Sequence, residues 1–190
     1  YAVSINRKGR RFVDESLGYV RHGKAVLSQP QQTTTLVFDH AISQIDRVVA
    51  NLETYARLGL TVYRADTLEE LARQVELPVE PFVETIEAFN AAISDGAAPG
   101  ANPPKATLAS PISTPPFYAF HPLVPSMLLT FGGIMINGRA QVLEADGRVI
   151  PGLYAAGECA GAVFHHDYIG GGSLTNCLVM GRIAGRVAAA

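Results

Sequence analysis

The chain has 190 residues, 48 % of them hydrophobic and 17 % charged, a composition that builds one full core or two small lobes and excludes a disordered protein. A formal net charge of −2 leaves no basic footprint for nucleic acid, and no apolar run approaches the roughly 20 residues that span a bilayer. The basic opening from Tyr1 to Arg11 lacks the apolar stretch of a secretion signal and reads as the middle of a strand and turn of a longer chain, with any targeting signal outside these residues; the expected compartment is the cytoplasm.

In chain order, residues 1–6 alternate as a short strand and Lys8-Gly9-Arg10 forms a turn. Glu15 and Tyr19 lie four residues apart and share a face if their segment is helical. Residues 35–39 (TLVFD) have the length and composition of a buried strand. Ile45, Val48, Val49, Leu52 and Tyr55 recur at helical spacing, which predicts one helix over residues 42–58. Thr67 and Glu70 make a capping box for a helix over 68–75. Pro81 sits in the first turn of a helix over 82–93 whose face carries Phe82, Ile86, Phe89 and Ile93. Residues 95–116, rich in Gly, Pro, Ala and Ser, read as a surface loop.

From Thr130 onward the texture turns to Gly, Ala and β-branched residues. Strands are expected at 133–136 and 140–143, then the Asp146-Gly147 turn leads to 149–150. A short apolar strand over 153–156 ends at Gly157-Glu158. A glycine bend at 170–172 runs into a helix from Ser173, where Gly181, Ala184 and Gly185 permit close approach of a neighbour.

Few residues here carry chemistry by type alone. Cys159 and Cys177 fit no CxxC spacing, so both are expected buried and reduced. His165, His166 and Asp167 are adjacent but lack a third ligand at a fitting spacing, which argues for a polar active-site wall and no metal. His22, His40 and His121 are each isolated and read as surface or packing residues. Glu158 at a strand tip beside Gly157 can accept hydrogen bonds from a diol. The glycine entry at Gly170–Gly172 into a helix offers free N–H groups and a positive dipole to an electron-rich ring edge. The bland alternatives are a surface Glu and a plain helix start.

Taken together, four motifs resemble one family. Gly9-Arg10-Arg11-Phe12-Val13-Asp14-Glu15, Thr130-Phe131-Gly132-Gly133-Ile134, the stretch from Ile150 to Glu158 (IPGLYAAGE), and Gly170 to Gly185 stand in the order found in fumarate-reductase-type flavoproteins. The resemblance implies an α+β cap (substrate) domain over 1–128. It is followed over 129–190 by the C-terminal β-strands and helix of an α/β FAD-binding Rossmann-like domain. The G-x-G-x-x-G segment that holds the FAD pyrophosphate is not in these residues, so a preceding N-terminal segment is an implied partner. A hinge is expected near 123–130, where Pro122, Pro125 and Ser126 interrupt regular structure.

By the same resemblance, FAD is the cofactor, with Gly157 and Glu158 at its ribose and the backbone of Ser173 and Leu174 at the pyrimidine edge of its ring. The family's dicarboxylate clamp has a histidine and an arginine where this chain has Leu128 and Tyr168, and its proton-donating arginine is absent from the area of Ile42 and Ser43, so fumarate is disfavoured. Similarity to 3-ketosteroid 1-dehydrogenases places Tyr168 and Gly172 on a ketone oxygen and makes Tyr19 the proton acceptor, with hydride passing to the flavin N5. Glu15, Gly171, His165 and His166 would border the substrate. The stretches LLTFGG and GGGSLTNCLVMGRIAG instead resemble tricarballylate dehydrogenases, which leaves the substrate open. The expected function is hydride transfer at a CH–CH or C=C bond of a small carbonyl-activated molecule, with an unknown electron partner. The alternative is a flavoprotein remnant or binding module without catalysis.

Overall fold

The computed structural model describes residues 1–126, 130–161, 163–165 and 167–190; Leu128 and His166, both singled out above, lie outside them. The chain divides into two compact units, Tyr1–Ser126 and Met127–Ala190.

The first unit is built on a four-stranded antiparallel sheet. Its strands are β1 (Val3–Ile5), β2 (Thr34–Asp39), β3 (Tyr63–Ala65) and β4 (Phe117–Leu123), in the order β1-β2-β4-β3. β1 does not alternate as its sequence suggests, because Val3, Ser4 and Ile5 are all buried. The Ser4 N–H donates to the Glu15 carboxylate at 2.8 Å, and its hydroxyl shares a 2.7 Å hydrogen bond with His22 Nε2. Burying a serine is tolerable when both polar groups are partnered in this way.

Five helices accompany the sheet: α1 (Tyr19–Leu27), α2 (His40–Ser43), α3 (Asp46–Arg57), α4 (Leu68–Gln74) and α5 (Val79–Ala91). The single helix expected over 42–58 is two. Asp39 caps α2 through the Ile42 N–H at 2.9 Å, the Ser43 hydroxyl bonds back to the His40 carbonyl, and extended backbone at Ile45 separates α2 from α3. The capping box appears as read, with Thr67 Oγ1 accepting the Glu70 N–H at 3.1 Å ahead of α4. Phe82, Ile86 and Phe89 of α5 join Val3, Val37, Phe38, Leu71 and Val75 in the core.

The segment 95–116 is irregular, as its composition predicts, but it is not a surface loop. Ala98, Ala101, Lys105, Ala109 and Ile112 are buried. Side chains replace the missing ladder: the Asn90 amide exchanges two hydrogen bonds with the Ile112 backbone, at 2.8 and 2.9 Å, and Asp39 accepts the N–H groups of Ser113 and Thr114. Paired this way, irregular backbone can lie inside a core without an unmet polar group.

In the second unit, β5 (Gln141–Leu143) and β6 (Val149–Tyr154) form an antiparallel hairpin. Gly147, at φ 86°, takes the left-handed turn position that the Asp-Gly pair predicts. The two short strands expected at 149–150 and 153–156 are one strand, and the strand expected at 133–136 is reduced to single bridges at Ile134 and Ile136. The helix α6 (Gly172–Ala188) opens from Gly171, whose φ is 82°. No described helix is long and apolar enough to cross a membrane.

Candidate functional site

The Gly9–Glu15 motif builds a clamp in the first unit. Gly9, at φ 73°, passes so close to α5 that an added Cβ would meet the Phe82 backbone nitrogen at 2.9 Å. Arg10 reaches outward to Glu84, while Arg11 turns inward and grips Glu15 through two bonds, at 3.1 and 2.8 Å. Lys105, from the irregular segment, brings its ammonium to 3.6 Å from the same carboxylate and donates to the carbonyls of Tyr1 and Ala2. Burial pushes the Lys105 pKa down, against the pull of the neighbouring Glu15 charge. The Arg11 guanidinium and the Lys105 ammonium lie 4.7 and 5.7 Å from the Phe89 ring centroid, within cation–π reach. A buried carboxylate is stable only with this degree of pairing. Sequence reading missed Lys105, since nothing in a Pro- and Ala-rich stretch marks a lysine as internal.

Glu15 and Tyr19 do not share a helical face. Glu15 lies in a single 3-10 turn, Glu15–Leu17, capped by Asp14, and Gly18 at φ 88° and ψ 163° breaks it from α1. The Glu15 side chain is 7 % exposed with its oxygens engaged internally, whereas Tyr19, on the first turn of α1, is 58 % exposed. Burial of Asp14 would raise its pKa, but hydrogen bonds from Ser16 and the Ala106 N–H hold it below the usual carboxylate value.

In the second unit the remaining candidates gather at the start of α6. Tyr168 lays its ring against Phe164, with centroids 4.9 Å apart, and its hydroxyl accepts the Ser173 N–H at 3.4 Å. Phe164 fills the space over Gly172, where an added Cβ would meet the ring at 2.9 Å. The Gly172 N–H donates to the Ile169 carbonyl at 2.8 Å, so it can reach a substrate oxygen only if this turn opens. Ser173 Oγ is buried without a partner, and the Leu174 N–H has no acceptor among the described residues. Gly171 is exposed at the N-cap, and His165 is exposed on the preceding stretch.

A small cleft connects this helix start to the short turn after β6, bordered by Thr130, Gly157, Glu158, Ser173, Asn176 and Cys177. Glu158 Oε1 accepts the Thr130 N–H at 2.7 Å and its hydroxyl at 3.3 Å. Thr130 was invisible in the sequence as a partner of Glu158, 28 residues away. A wider apolar hollow of about 510 Å³ lies along Val163, Phe164, Ile169, the three glycines and Val179. Cys159 and Cys177 are free, as expected, but exposed and not buried. Among the described residues no group of His, Cys, Asp and Glu could hold a metal ion.

The chain matches the family described as FAD binding domain over residues 2–174, and it belongs to that family. It is 35 % identical over 192 residues to the NADH:acrylate oxidoreductase of Vibrio harveyi, covering 98 % of this chain and 18 % of that protein. Among solved structures, the open conformation of a flavocytochrome c3 fumarate reductase matches with TM-score 0.73 and 31 % identity, over 99 % of this chain and 32 % of that one. The 3-ketosteroid Δ1-dehydrogenase of Sterolibacterium denitrificans, in complex with 1,4-androstadiene-3,17-dione, matches with TM-score 0.74 and 27 % identity, over 99 % and 38 %. The chain thus spans between about a fifth and two fifths of the length of these relatives. The start of α6 suits the cofactor of this family: an unpartnered buried hydroxyl, an open N–H and a glycine entry present donors to an electron-rich ring edge.

Proposed function

We propose that this member of the FAD binding domain family is part of a longer flavoprotein that adds or removes hydrogen across a carbon–carbon bond next to a carbonyl group. Acrylate, fumarate and 3-ketosteroids, named for its relatives, share an unsaturated or oxidisable bond conjugated to such a group. When bound, FAD supplies the two-electron exchange. Ser173 and Leu174 would hold its ring edge, and Gly157 and Glu158 its ribose, with a preceding segment of the intact protein completing the site.

The observation that carries this reading is the Tyr168 hydroxyl at the start of α6, beside the unpartnered Ser173 Oγ and the open Leu174 N–H. A phenol there can donate to a carbonyl oxygen as negative charge develops on it. Gly172 would add its N–H once released from Ile169. Gly171 and His165 would border the substrate on this unit. Tyr19, exposed on α1, is assigned the proton at carbon. A keto substrate is favoured over a bare dicarboxylate because Tyr168 is neutral where a clamp needs a cation, and Ile42 and Ser43 are buried in the first unit. Glu15 is assigned to the internal clamp around Arg11 and Lys105.

The test uses the intact protein, reconstituted with FAD and assayed against a 3-ketosteroid, acrylate, a tricarballylate-like acid and fumarate with artificial electron carriers. Turnover should be highest on the ketone, and Tyr168→Phe should lower it by about 10²-fold, the scale of one lost oxyanion donor. A protein that takes up no FAD leaves the non-catalytic reading; fumarate as best substrate, or an unimpaired Tyr168→Phe, removes the role given to Tyr168.

A further inference from the structure

Tyr19 stands on a helix that its own sequence barely supports. α1 has nine residues, begins at Gly18 without a side-chain cap, and carries Gly23 in its interior. Helices this short are marginal in water, and an interior glycine weakens them further. Burial offers little help, since Val26 is its one buried residue. His22, one turn beyond Tyr19, ties the N-terminal half of α1 to the sheet. Its Nε2 shares a 2.7 Å hydrogen bond with the hydroxyl of Ser4, a fully buried residue in the middle of β1. Its ring also faces Phe12, with centroids 6.4 Å apart. Ser4 is itself fixed, because its N–H is held by Glu15 and Glu15 by Arg11. A second tie, from Asn6 to Gln29 at 3.0 Å, holds the far end of the helix. Residues 19 and 22 are i, i+3 neighbours on one helical face, so a hold on His22 sets where the Tyr19 ring begins.

We propose that His22 is a positioning residue for the reaction: through Ser4 it locks α1 onto the sheet and so places Tyr19 for proton transfer. This rests on the role given to Tyr19 above. Burial lowers the His22 pKa, partly offset by Glu15, which keeps the imidazole neutral around pH 7 and able either to accept from or donate to the serine hydroxyl. The first consequence is local. Backbone amides of α1 should exchange faster in His22→Ala and in Ser4→Ala, while those of β1 and β2 stay protected.

The experiment pairs hydrogen exchange with kinetics on the intact flavoprotein, using the best substrate of the panel. His22→Ala should raise α1 exchange and lower kcat by about tenfold or more with KM little changed, since small misplacements of a reacting group carry penalties of that order. His22→Gln, whose amide can occupy the Nε2 position, should restore most of both. In a Tyr19→Phe background His22→Ala should bring no further loss. An equal loss in that background, a change in KM alone, or unchanged exchange and kcat overturns the proposal. Should His22→Ala not fold, Ser4→Ala and His22→Gln decide by the same readings. A slow Tyr19→Phe beside an unimpaired His22→Ala defeats only the positioning role. A fully active Tyr19→Phe defeats the role of Tyr19 and this proposal with it.

Discussion

Glu15 and Tyr19 are four residues apart, and Gly18 between them decides that they part company. At φ 88° and ψ 163° it ends one turn and aims the next, so the carboxylate goes inward and the phenol outward. Two histidines of this unit have lowered pKa. For His22 the cause is burial, opposed by Glu15; for His121 it is burial and then the adjacent Arg7, opposed by Glu76. His121 is held between Thr35 at 2.8 Å and Arg7 at 3.4 Å. A histidine whose folded pKa lies below its unfolded value binds fewer protons when folded. Stability is therefore full above about pH 6.5, the unfolded value, and declines as pH falls through the folded one. Urea midpoints measured from pH 8 to pH 5 should fall below pH 6.5, and replacing both histidines with glutamine should flatten that slope. At this scale the sequence spoke for residue type and not for direction. The glycine entry into α6 could be singled out because a glycine bend before a helix is a local pattern, whereas the roles of Tyr168, Ser173 and Leu174 came only from the family resemblance. Lys105, Thr130 and Phe164 could not, because their partners are distant in the chain.

The same distinction holds for elements. α4 was readable because its cap, Thr67 to Glu70, spans three residues, and the β5–β6 turn because Asp-Gly dictates its own backbone. The break between α2 and α3 was not, since apolar spacing continues through it while Asp39 and Ser43 redirect the hydrogen bonds. The burial of residues 95–116 was hidden for a further reason: composition reports the lack of a ladder but not what replaces it. Asn90 is the replacement, giving Ile112 both partners that a neighbouring strand would give. Asn90→Ala should lower stability by about 1–3 kcal/mol, the range for buried polar groups left unpaired, seen as a shifted urea midpoint with added protease sensitivity within 95–116. Wild-type behaviour in both would show that Asp39 alone suffices to hold the segment.

At the level of the molecule, the two units differ in what they keep inside. The large apolar cluster belongs to Tyr1–Ser126. In the second unit Ile169, Leu174 and Leu178 are 77, 69 and 67 % exposed, and α6 has no buried residue among those described. Expressed separately, Tyr1–Ser126 should melt in one cooperative step, whereas Met127–Ala190 should bind a dye that reports exposed apolar surface and show no sharp transition. A cooperative, dye-free second unit would contradict this. The glycines of that unit have a consequence for what can vary. Gly133 and Gly161 lie back to back: a Cβ on Gly133 would come within 2.5 Å of the Cys159 carbonyl, and one on Gly161 within 2.9 Å of the Gly133 nitrogen. Gly181 and Gly185 meet nothing within 4 Å, and alanine favours a helix over glycine by about 1 kcal/mol. In an alanine library of this chain scored for folded yield, positions 133 and 161 should vanish together while 181 and 185 are enriched. The same library made in the intact protein becomes a footprint: if 181 and 185 turn intolerant there, another surface rests on that side of α6, and the lost clones mark where it lies.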